Sequence, residues 1–238
     1  MNQAAQPDMT KAVLRNVILS YPHLFELYKF RDEPDSKLDY SAEFIVTDTS
    51  DITELQNIAV PQAIANKWPQ QSHDPNFVNM LDNCWKMVTK EGPYFGRYVT
   101  KKARGRGTPP VVVDAQNRFI LMPGQPTPPG YSEDRRSPIL PAHILPGSLV
   151  NVQVRAFGYD KPKLGIGLNL NMVQVLRLAG DGPDLPQLGR GADDPDDVFD
   201  AAPAGAPAPT APVAPGPGGA PAASGPGATP SPVPGSLF

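Results

Sequence analysis

The stretch that decides the fold is SLVNVQVRAFGYDKPKLGIGLNLNMVQVLR, residues 148–177. In its first part, valines at 150, 152 and 154 alternate with polar residues, which is the pattern of a strand with one buried and one exposed face. A segment rich in Gly, Pro and Lys follows at 158–163, and a second apolar run extends from Gly165 to Arg177. Two such runs around a short loop predict an antiparallel hairpin.

Strand patterns also dominate the chain before this hairpin. KAVLRNVILS at 11–20 and the alternating residues at 38–47 predict an antiparallel first pair. Shorter strands are predicted at 95–103, 110–114 and 118–122.

Two helical patterns lie between these strands. Asp51 and Glu54 have the spacing of a capping box, and we expect that helix to break at Pro61 and to end near Trp68. A second helix is predicted from Asp74-Pro75 to a stop at Gly92-Pro93. The sequence therefore predicts a mainly β fold, an OB-fold-like Greek-key barrel with one or two inserted helices.

Charge divides the chain near Gly180. Seven of the 24 acidic residues but only one of the 21 basic residues follow this glycine, so residues 1–180 carry a formal charge of +3 and residues 181–238 a charge of −6. The later segment is acidic and then rich in Ala, Pro and Gly, with few apolar anchors. We interpret residues 1–180 as one folded domain that binds a polyanion, and residues 181–238 as a disordered tail.

Several classes of function lack their sequence signals. Cys84 is the single cysteine and is interpreted as a buried apolar residue, while the three histidines lie far apart, so no metal site or cofactor is expected. Gly165-Ile166-Gly167 lacks the third glycine of a dinucleotide fingerprint. No catalytic constellation, signal peptide or membrane span is apparent, and a non-enzymatic, cytoplasmic protein is expected.

The strongest candidate binding segment lies between residues 86 and 106, where cations and aromatic residues are interleaved with a single acid. Cations follow the phosphates of a single-stranded nucleic acid, and aromatic rings stack on its bases. The alternative is that the rings fill the core while the cations form a solvated face. The candidates are Lys86, Lys90, Tyr94, Phe95, Arg97, Tyr98, Lys101, Lys102, Arg104 and Arg106.

The loop of the predicted hairpin is a second candidate. Phe157 and Tyr159 are two residues apart and would share one side of a strand, where they could act as a pair of stacking platforms. A tyrosine packed over a turn among solubilising lysines is the alternative. This second set consists of Arg155, Phe157, Tyr159, Lys161 and Lys163.

Together these segments resemble the OB-fold single-stranded-DNA-binding proteins of tailed phages. The resemblance lies in ILSYPHLFELYKF (18–30), KLDYSAEFIV (37–46), GRYVTKKARG (96–105) and residues 151–177. It implies binding of single strands with little sequence preference, during phage DNA replication or recombination in the infected bacterial cell. Whether the protein forms a homo-oligomer is left open.

The resemblance also implies an acidic C-terminal tail that contacts replication or recombination proteins. Here the acids are separated from the terminal aromatic residue by the Ala/Pro/Gly stretch, so which of the two recruits partners is open. The candidate tail residues are Asp193, Asp194, Asp196, Asp197, Phe199, Asp200, Leu237 and Phe238.

The length of the tail suggests a second role. A flexible chain of 58 residues has a root-mean-square span of roughly 40–45 Å, against a radius of gyration of about 16 Å for a 180-residue domain. The acidic run could therefore compete with DNA for the basic surface of its own domain, the alternative being a solubilising linker. The rival function is that of a virion structural or assembly protein with a self-associating β domain and a Pro-rich spacer.

Overall fold

The computed structural model describes residues 8–29, 38–89, 91–181 and 185. Within these described residues, eight strands form one sheet. In chain order they are β1 (Lys11–Lys29), β2 (Leu38–Ile45), β3 (Trp85–Met87), β4 (Tyr98–Thr100), β5 (Ala103–Arg104), β6 (Val111–Asp114), β7 (Leu149–Tyr159) and β8 (Gly165–Arg177).

Five of these strands form a barrel that β1 closes. The first half of β1 pairs antiparallel with β7, and its second half pairs antiparallel with β2. The ring continues from β2 to β5, from β5 in parallel to β8, and from β8 back to β7. This strand order is that of an OB-fold-like barrel, and the predicted fold class is confirmed.

β1 contains a β-bulge at Asn16. The pairing of β1 with β7 shifts register between Leu14 and Val17, and Asn16 between them adopts a left-handed backbone conformation with φ of +54°. Its N–H donates to the side chain of Asn151 at 3.0 Å, and its carbonyl accepts from Ser50 at 2.6 Å. A second positive φ, at Tyr21, lets the strand continue past Pro22, so β1 runs nine residues beyond the predicted segment 11–20.

The barrel interior holds the main hydrophobic core. Alternate residues of β7, Val150, Val152 and Val154, are buried there together with Phe44 of β2. The exposed residues of β7 consequently lie on the outside of the barrel, as the alternation in the sequence predicted.

Two helices lie between β2 and β3, and both differ from their predictions. A π-helical turn (Leu55–Ala59) leads into α1 (Val60–Lys67) without a break at Pro61, which is the second residue of α1. The predicted capping box is wrong at its second member. The Glu54 carboxylate instead accepts from the N–H of Val13 and from Arg15, both at 2.9 Å.

The second helix, α2 (Pro75–Met80), is much shorter than predicted. It begins as expected at Asp74, whose side chain accepts from the N–H of Asn76 at 2.9 Å. The chain then leaves the helix and pairs as β3 with β4, since tertiary pairing outweighs the helical spacing of the apolar residues.

Two of the shorter strand predictions also differ from the structure. The predicted strand 95–103 is split into β4 and β5, and residues 118–122 form only isolated bridges at Phe119. In the part of the chain that the structure describes, no helix is long and apolar enough to cross a membrane.

A smaller hydrophobic cluster outside the barrel includes a residue beyond Gly180. Leu185 is 3% exposed and packs with Ile18, Ile45 and Val99. Its carbonyl accepts from the N–H of Gly180 at 2.8 Å. The domain therefore uses the chain at least as far as Leu185 for its packing, past the predicted boundary at 180.

We predict that Leu185→Ala lowers the free energy of unfolding by about 2–5 kcal/mol, because it opens a cavity in this cluster. The control is Leu38→Ala at an exposed position of β2, for which we expect a change within about 0.5 kcal/mol. Urea denaturation of the full chain measures both. Equal effects of the two substitutions would show that Leu185 is not part of the folded core.

Candidate nucleic-acid interface

Two aromatic rings of β7 lie on glycines of β8. Phe157 is directly opposite Gly167, and Tyr159 is directly opposite Gly165. A Cβ added at Gly167 would lie 2.5 Å from the Phe157 ring, and one added at Gly165 would lie 2.7 Å from the Tyr159 ring. A larger residue at either position would displace the ring, and at Gly165 it would also meet the Asp82 carbonyl oxygen at 2.7 Å. This is the structural role of the Gly165-Ile166-Gly167 motif.

Arg106 covers the Phe157 ring. Its guanidinium carbon lies 4.2 Å from the ring centroid, within the range of a cation–π contact. Arg106 belongs to the turn between β5 and β6 and has a positive φ of +52°. The next N–H, that of Gly107, donates to the Asp39 carboxylate at 3.0 Å and holds the turn against β2. An arginine and an aromatic ring from distant parts of the sequence therefore form one stack.

A row of polar side chains crosses the outside of the barrel next to this stack. Arg104 of β5 is opposite Asn169 of β8, Asn169 is opposite Arg155 of β7, and Arg155 is opposite Lys11 of β1. Residues opposite one another in neighbouring strands point to the same side of a sheet. The barrel closure thus brings three cations from three strands onto one surface.

Asp82 organises the cations at the hairpin end of this surface. Its carboxylate accepts from Lys101 at 2.5 Å, from Lys163 at 3.2 Å and from the Tyr159 hydroxyl at 3.1 Å. Burial opposes ionisation of Asp82, but these hydrogen bonds outweigh it and hold the pKa of the carboxyl below its ordinary value. Burial and the Asp82 contact raise the pKa of Tyr159. One carboxylate therefore positions two lysines and a ring.

The hairpin loop is attached to α1. The indole N–H of Trp68 donates to Asp160 at 3.1 Å, and Lys67 forms an ion pair with the same carboxylate at 2.5 Å. A Cβ added at Gly158 would strike both Lys67 and Trp68, at 2.7–2.9 Å. Helix and hairpin are thus in close contact, which fixes the direction in which the two rings of β7 point.

Apart from Lys102, which lies beside the Tyr28 ring, the described cations of the prediction fall into two groups by their carboxylate partners. Lys86 pairs with Glu43, Arg97 with Asp48, Arg155 with Asp8, and Lys101 and Lys163 with Asp82. Asp8 has its pKa lowered to about 2 by hydrogen bonds from Thr10 and Arg155. Among the described residues, no carboxylate forms an ion pair with the second group, which consists of Arg104, Arg106 and Lys161. Lys90 lies outside the described residues.

The predicted aromatic residues between 94 and 98 differ in burial. Tyr94 is 7% exposed and packs with Val88 and Val99 in the smaller cluster. Its predicted stacking role is therefore wrong, and the core alternative holds. Phe95 and Tyr98 are 60% and 57% exposed. Tyr98 is opposite Met87 on one side of the β3–β4 pair, whereas Lys86 and Val99 lie on the other.

A third ring group, which the sequence reasoning missed, lies at the end of β1. His23 and Tyr28 are stacked, with ring centroids 3.9 Å apart and planes inclined by 9°. The Lys102 ammonium lies 5.6 Å from the centroid of the Tyr28 ring. Burial lowers the pKa of Lys102, and the Glu43 carboxylate opposes this effect. The signal in the sequence was the density of rings in YPHLFELY, residues 21–28.

Cys84 is buried, as predicted, and its burial raises the pKa of the thiol to about 11. Within the described ranges, no three His, Cys, Asp or Glu side chains are grouped as a metal site would need. All the candidate tail residues, from Asp193 to Phe238, lie outside the residues that the structure describes.

Comparison with known proteins gives matches only among solved structures. No protein-family model and no curated protein matches the sequence. The single-stranded DNA-binding protein from bacteriophage Enc34 in complex with ssDNA is 19% identical, with a TM-score of 0.45, over 71% of this chain and 88% of that one. The single-stranded DNA-binding protein gp2.5 encoded by bacteriophage T7 is 16% identical, with a TM-score of 0.43, over 74% and 97% of the two chains.

We predict a pH-dependent stability that originates at His23. Burial and then the nearby Lys102 ammonium lower the pKa of His23 to about 4. In the unfolded chain histidine titrates near 6.5, so between about pH 6.5 and 4 only the unfolded state gains this proton. The stability of the parent should therefore fall as the pH falls through this range.

His23→Phe keeps a ring against Tyr28 but removes the titration. Urea denaturation at about pH 7, 6 and 5 should show a smaller loss of stability in His23→Phe than in the parent, while His73→Phe at an exposed site should follow the parent. The carboxylates are the same in all three proteins, so their effect on the pH dependence of stability cancels in the comparison. Parallel curves for the parent and His23→Phe would contradict the assignment.

Proposed function

We propose that this protein binds single-stranded DNA with little sequence preference, on the outer face of the barrel formed by β5, β7 and β8. The observation that carries the proposal is the set of rings laid on glycines, with Phe157 under Arg106 and Tyr159 beside it. Ring planes and cations on one open surface are the two elements by which proteins hold unpaired strands.

Each element has a separate role. Bases stack on the Arg106 guanidinium, which the Phe157 ring supports, and on Tyr159, because aromatic rings and guanidinium planes both accept the flat face of a base. Phosphates are held by Arg104, Arg106 and Lys161, whose charges no described carboxylate neutralises. Unpaired strands are preferred over duplexes because the bases of a duplex stack on one another and cannot reach rings on a sheet.

The carboxylate-paired cations form a second, exchangeable set. Lys101 and Lys163 share Asp82, and Arg155 pairs with Asp8. The cations of these pairs lie at the surface, with side chains 35–67% exposed, so a phosphate can approach them without opening the core. These carboxylates would keep the lysines and Arg155 oriented in the absence of DNA.

The biological setting is proposed from the family resemblance. We place this binding in phage DNA replication or recombination within the infected bacterial cell, without catalysis by this chain. The acidic tail would recruit replication or recombination proteins and compete with DNA for the basic surface.

The rival function, a self-associating virion protein, is favoured by one observation. Met87, Phe95 and Tyr98 are exposed on or near β3, which is an edge strand of the sheet. Exposed edge strands favour pairing with another chain. DNA binding separates the two functions, since a virion protein of this type would not retain an oligonucleotide at low salt.

The proposed function predicts that a charge reversal and a ring deletion on this surface affect binding differently. Arg104→Glu should weaken binding of a labelled oligo(dT) and reduce the salt slope of log Kd by at least about 0.7, the value for one phosphate contact. Phe157→Ala should weaken binding by about 1–3 kcal/mol, the value of one stacked base, with little change of slope. Fluorescence anisotropy at several salt concentrations measures both.

A similar arginine–tyrosine pair provides the controls. The guanidinium carbon of Arg135 lies 5.9 Å from the centroid of the Tyr131 ring, in the loop after β6. Arg135→Glu and Tyr131→Ala should leave affinity and slope close to those of the parent. If these variants weaken binding as much as Arg104→Glu and Phe157→Ala, the outer face of β5, β7 and β8 is not the binding surface.

The competing role of the tail gives a second prediction. A chain truncated after Arg190 retains Leu185 but lacks Asp193, Asp194, Asp196, Asp197 and Asp200, and we expect it to bind oligo(dT) more tightly than the full chain at low salt. The difference should shrink as salt screens the tail. A chain truncated after Asp200 keeps all five aspartates but lacks the Ala/Pro/Gly stretch, so it serves as the control for chain length and should bind like the parent. Unchanged or weaker binding by the longer truncation would contradict competition.

A further inference from the structure

A cavity of about 590 Å³ opens beside the end of β1. One wall is formed by β1 residues that include Tyr28 and His23, and Lys102 of the segment before β5 reaches into it. The opposite wall comes from the segments around Met122 and residues 140–146. This volume falls within the range of about 300–1,000 Å³ that is typical of small-molecule sites.

The walls of this cavity are rigid. Four prolines line it, and the proline ring fixes the backbone φ at each of these positions. The segment at 140–146 is also tied to the barrel, since the N–H of Gly147 donates to the Leu19 carbonyl and Ser148 Oγ donates to the Leu145 carbonyl, both at 2.8 Å. The four prolines are Pro22, Pro123, Pro141 and Pro146. The space is therefore preformed.

The chemistry of the lining fits a flat ring next to an anion. The stacked pair of His23 and Tyr28 presents aromatic surface, and His23 is neutral at pH 7. Lys102, half-buried above the Tyr28 ring, is the cation of the lining, and Glu26 is the anion, at an exposed position. Apolar atoms dominate the rest of the lining, as expected for a site that binds an aromatic group.

The cavity is continuous with the proposed DNA-binding surface. His23 is opposite Ser41 of β2, and Ser41 is opposite Arg104 of β5. Neighbouring strands lie about 4.8 Å apart, so His23 lies roughly 10 Å from Arg104 across the sheet. Lys102 precedes Arg104 by two residues, and burial and, to a smaller extent, the charge of Arg104 lower its pKa, so the two cations lie near each other. A strand held by Arg104 therefore passes close to the mouth of the cavity.

We propose that this cavity receives one nucleobase of the bound single strand, turned out of the row of stacked bases, with Lys102 facing the adjoining phosphate. This proposal rests on the proposed function and adds a site to it. Insertion of one base fixes where the strand crosses the end of β1, because the other bases stack on open surface and can slide. The competing occupant is an aromatic side chain of a partner protein. In that case the cavity would not respond to oligo(dT) in the measurements below.

Methyl NMR of methionine provides a local probe. Met122 lines the cavity, whereas Met87 is exposed on β3 and is not part of the lining. The full chain is labelled at the methionine methyl carbons and titrated with oligo(dT) and with an oligomer of equal length that carries only abasic sugar-phosphate units. Met122 should shift with oligo(dT) and stay in place with the abasic oligomer, and Met87 should stay in place with both.

A blocking variant tests whether the shift arises from an occupied cavity. Ala142 lines the cavity at an exposed position, so Ala142→Trp fills the space without disturbing the core. It should abolish the Met122 shift and weaken oligo(dT) binding about fivefold or more, as expected for one lost base contact. Ala115→Trp, at an exposed turn after β6, should keep the shift and bind within about twofold of the parent.

The outcomes separate this proposal from the proposed function. If oligo(dT) binds but Met122 does not respond, or responds equally in Ala142→Trp, the cavity does not hold a base and the proposed DNA-binding surface stands. If oligo(dT) fails to bind even at low salt, both proposals are overturned.

Discussion

The structure depends on one strand that pairs on both of its halves. From Lys11 to Ile18 β1 pairs with β7, with a bulge at Asn16 inside that stretch, and from Ile18 to Lys29 it pairs with β2. Without this double pairing the sheet would remain open between β2 and β7. The double pairing therefore closes the core and sets which residues are neighbours on the outside of the barrel.

The rings and the charges on the outside of the barrel differ in how much free energy each can contribute to binding. A base stacked on a ring is worth roughly 1–3 kcal/mol, whereas an exposed ion pair contributes about 0–1 kcal/mol. In the proposed function, the rings of Phe157 and Tyr159 therefore supply most of the affinity, while Arg104 and Arg106 supply its dependence on salt. Glycines at 165 and 167 make this possible because they leave room for the rings on β8.

The sequence predicted the parts of the fold that repeat along the chain. Alternation identified the β7–β8 hairpin and the first two strands, and it placed Phe157 and Tyr159 on one face. The length of the second helix was overestimated, because the helical spacing of apolar residues around Trp85 does not show that this segment pairs with β4. The ion pairs of Lys101 and Arg155 join residues far apart in the chain, which no local pattern reveals.

In the candidate site, too, local properties were predicted and contacts between distant segments were not. Charge density identified Arg104 and Arg106 correctly as surface cations, but it could not show that Lys86 and Arg97 lie against carboxylates of other segments. Nor could it distinguish Tyr94, which is buried, from Tyr98, which is exposed, because both belong to one aromatic cluster. The stack of His23 on Tyr28 was missed because it depends on the irregular backbone of β1 after Ser20.

The central claim is that one face of this barrel contacts unpaired bases. Ultraviolet crosslinking of the full chain to oligo(dT), followed by mass spectrometry of the crosslinked peptides, tests it most directly. We expect crosslinks at Phe157 and Tyr159 that duplex DNA does not compete away. Crosslinks confined to Phe95, Tyr98 or Tyr131, with none on β7, would contradict it.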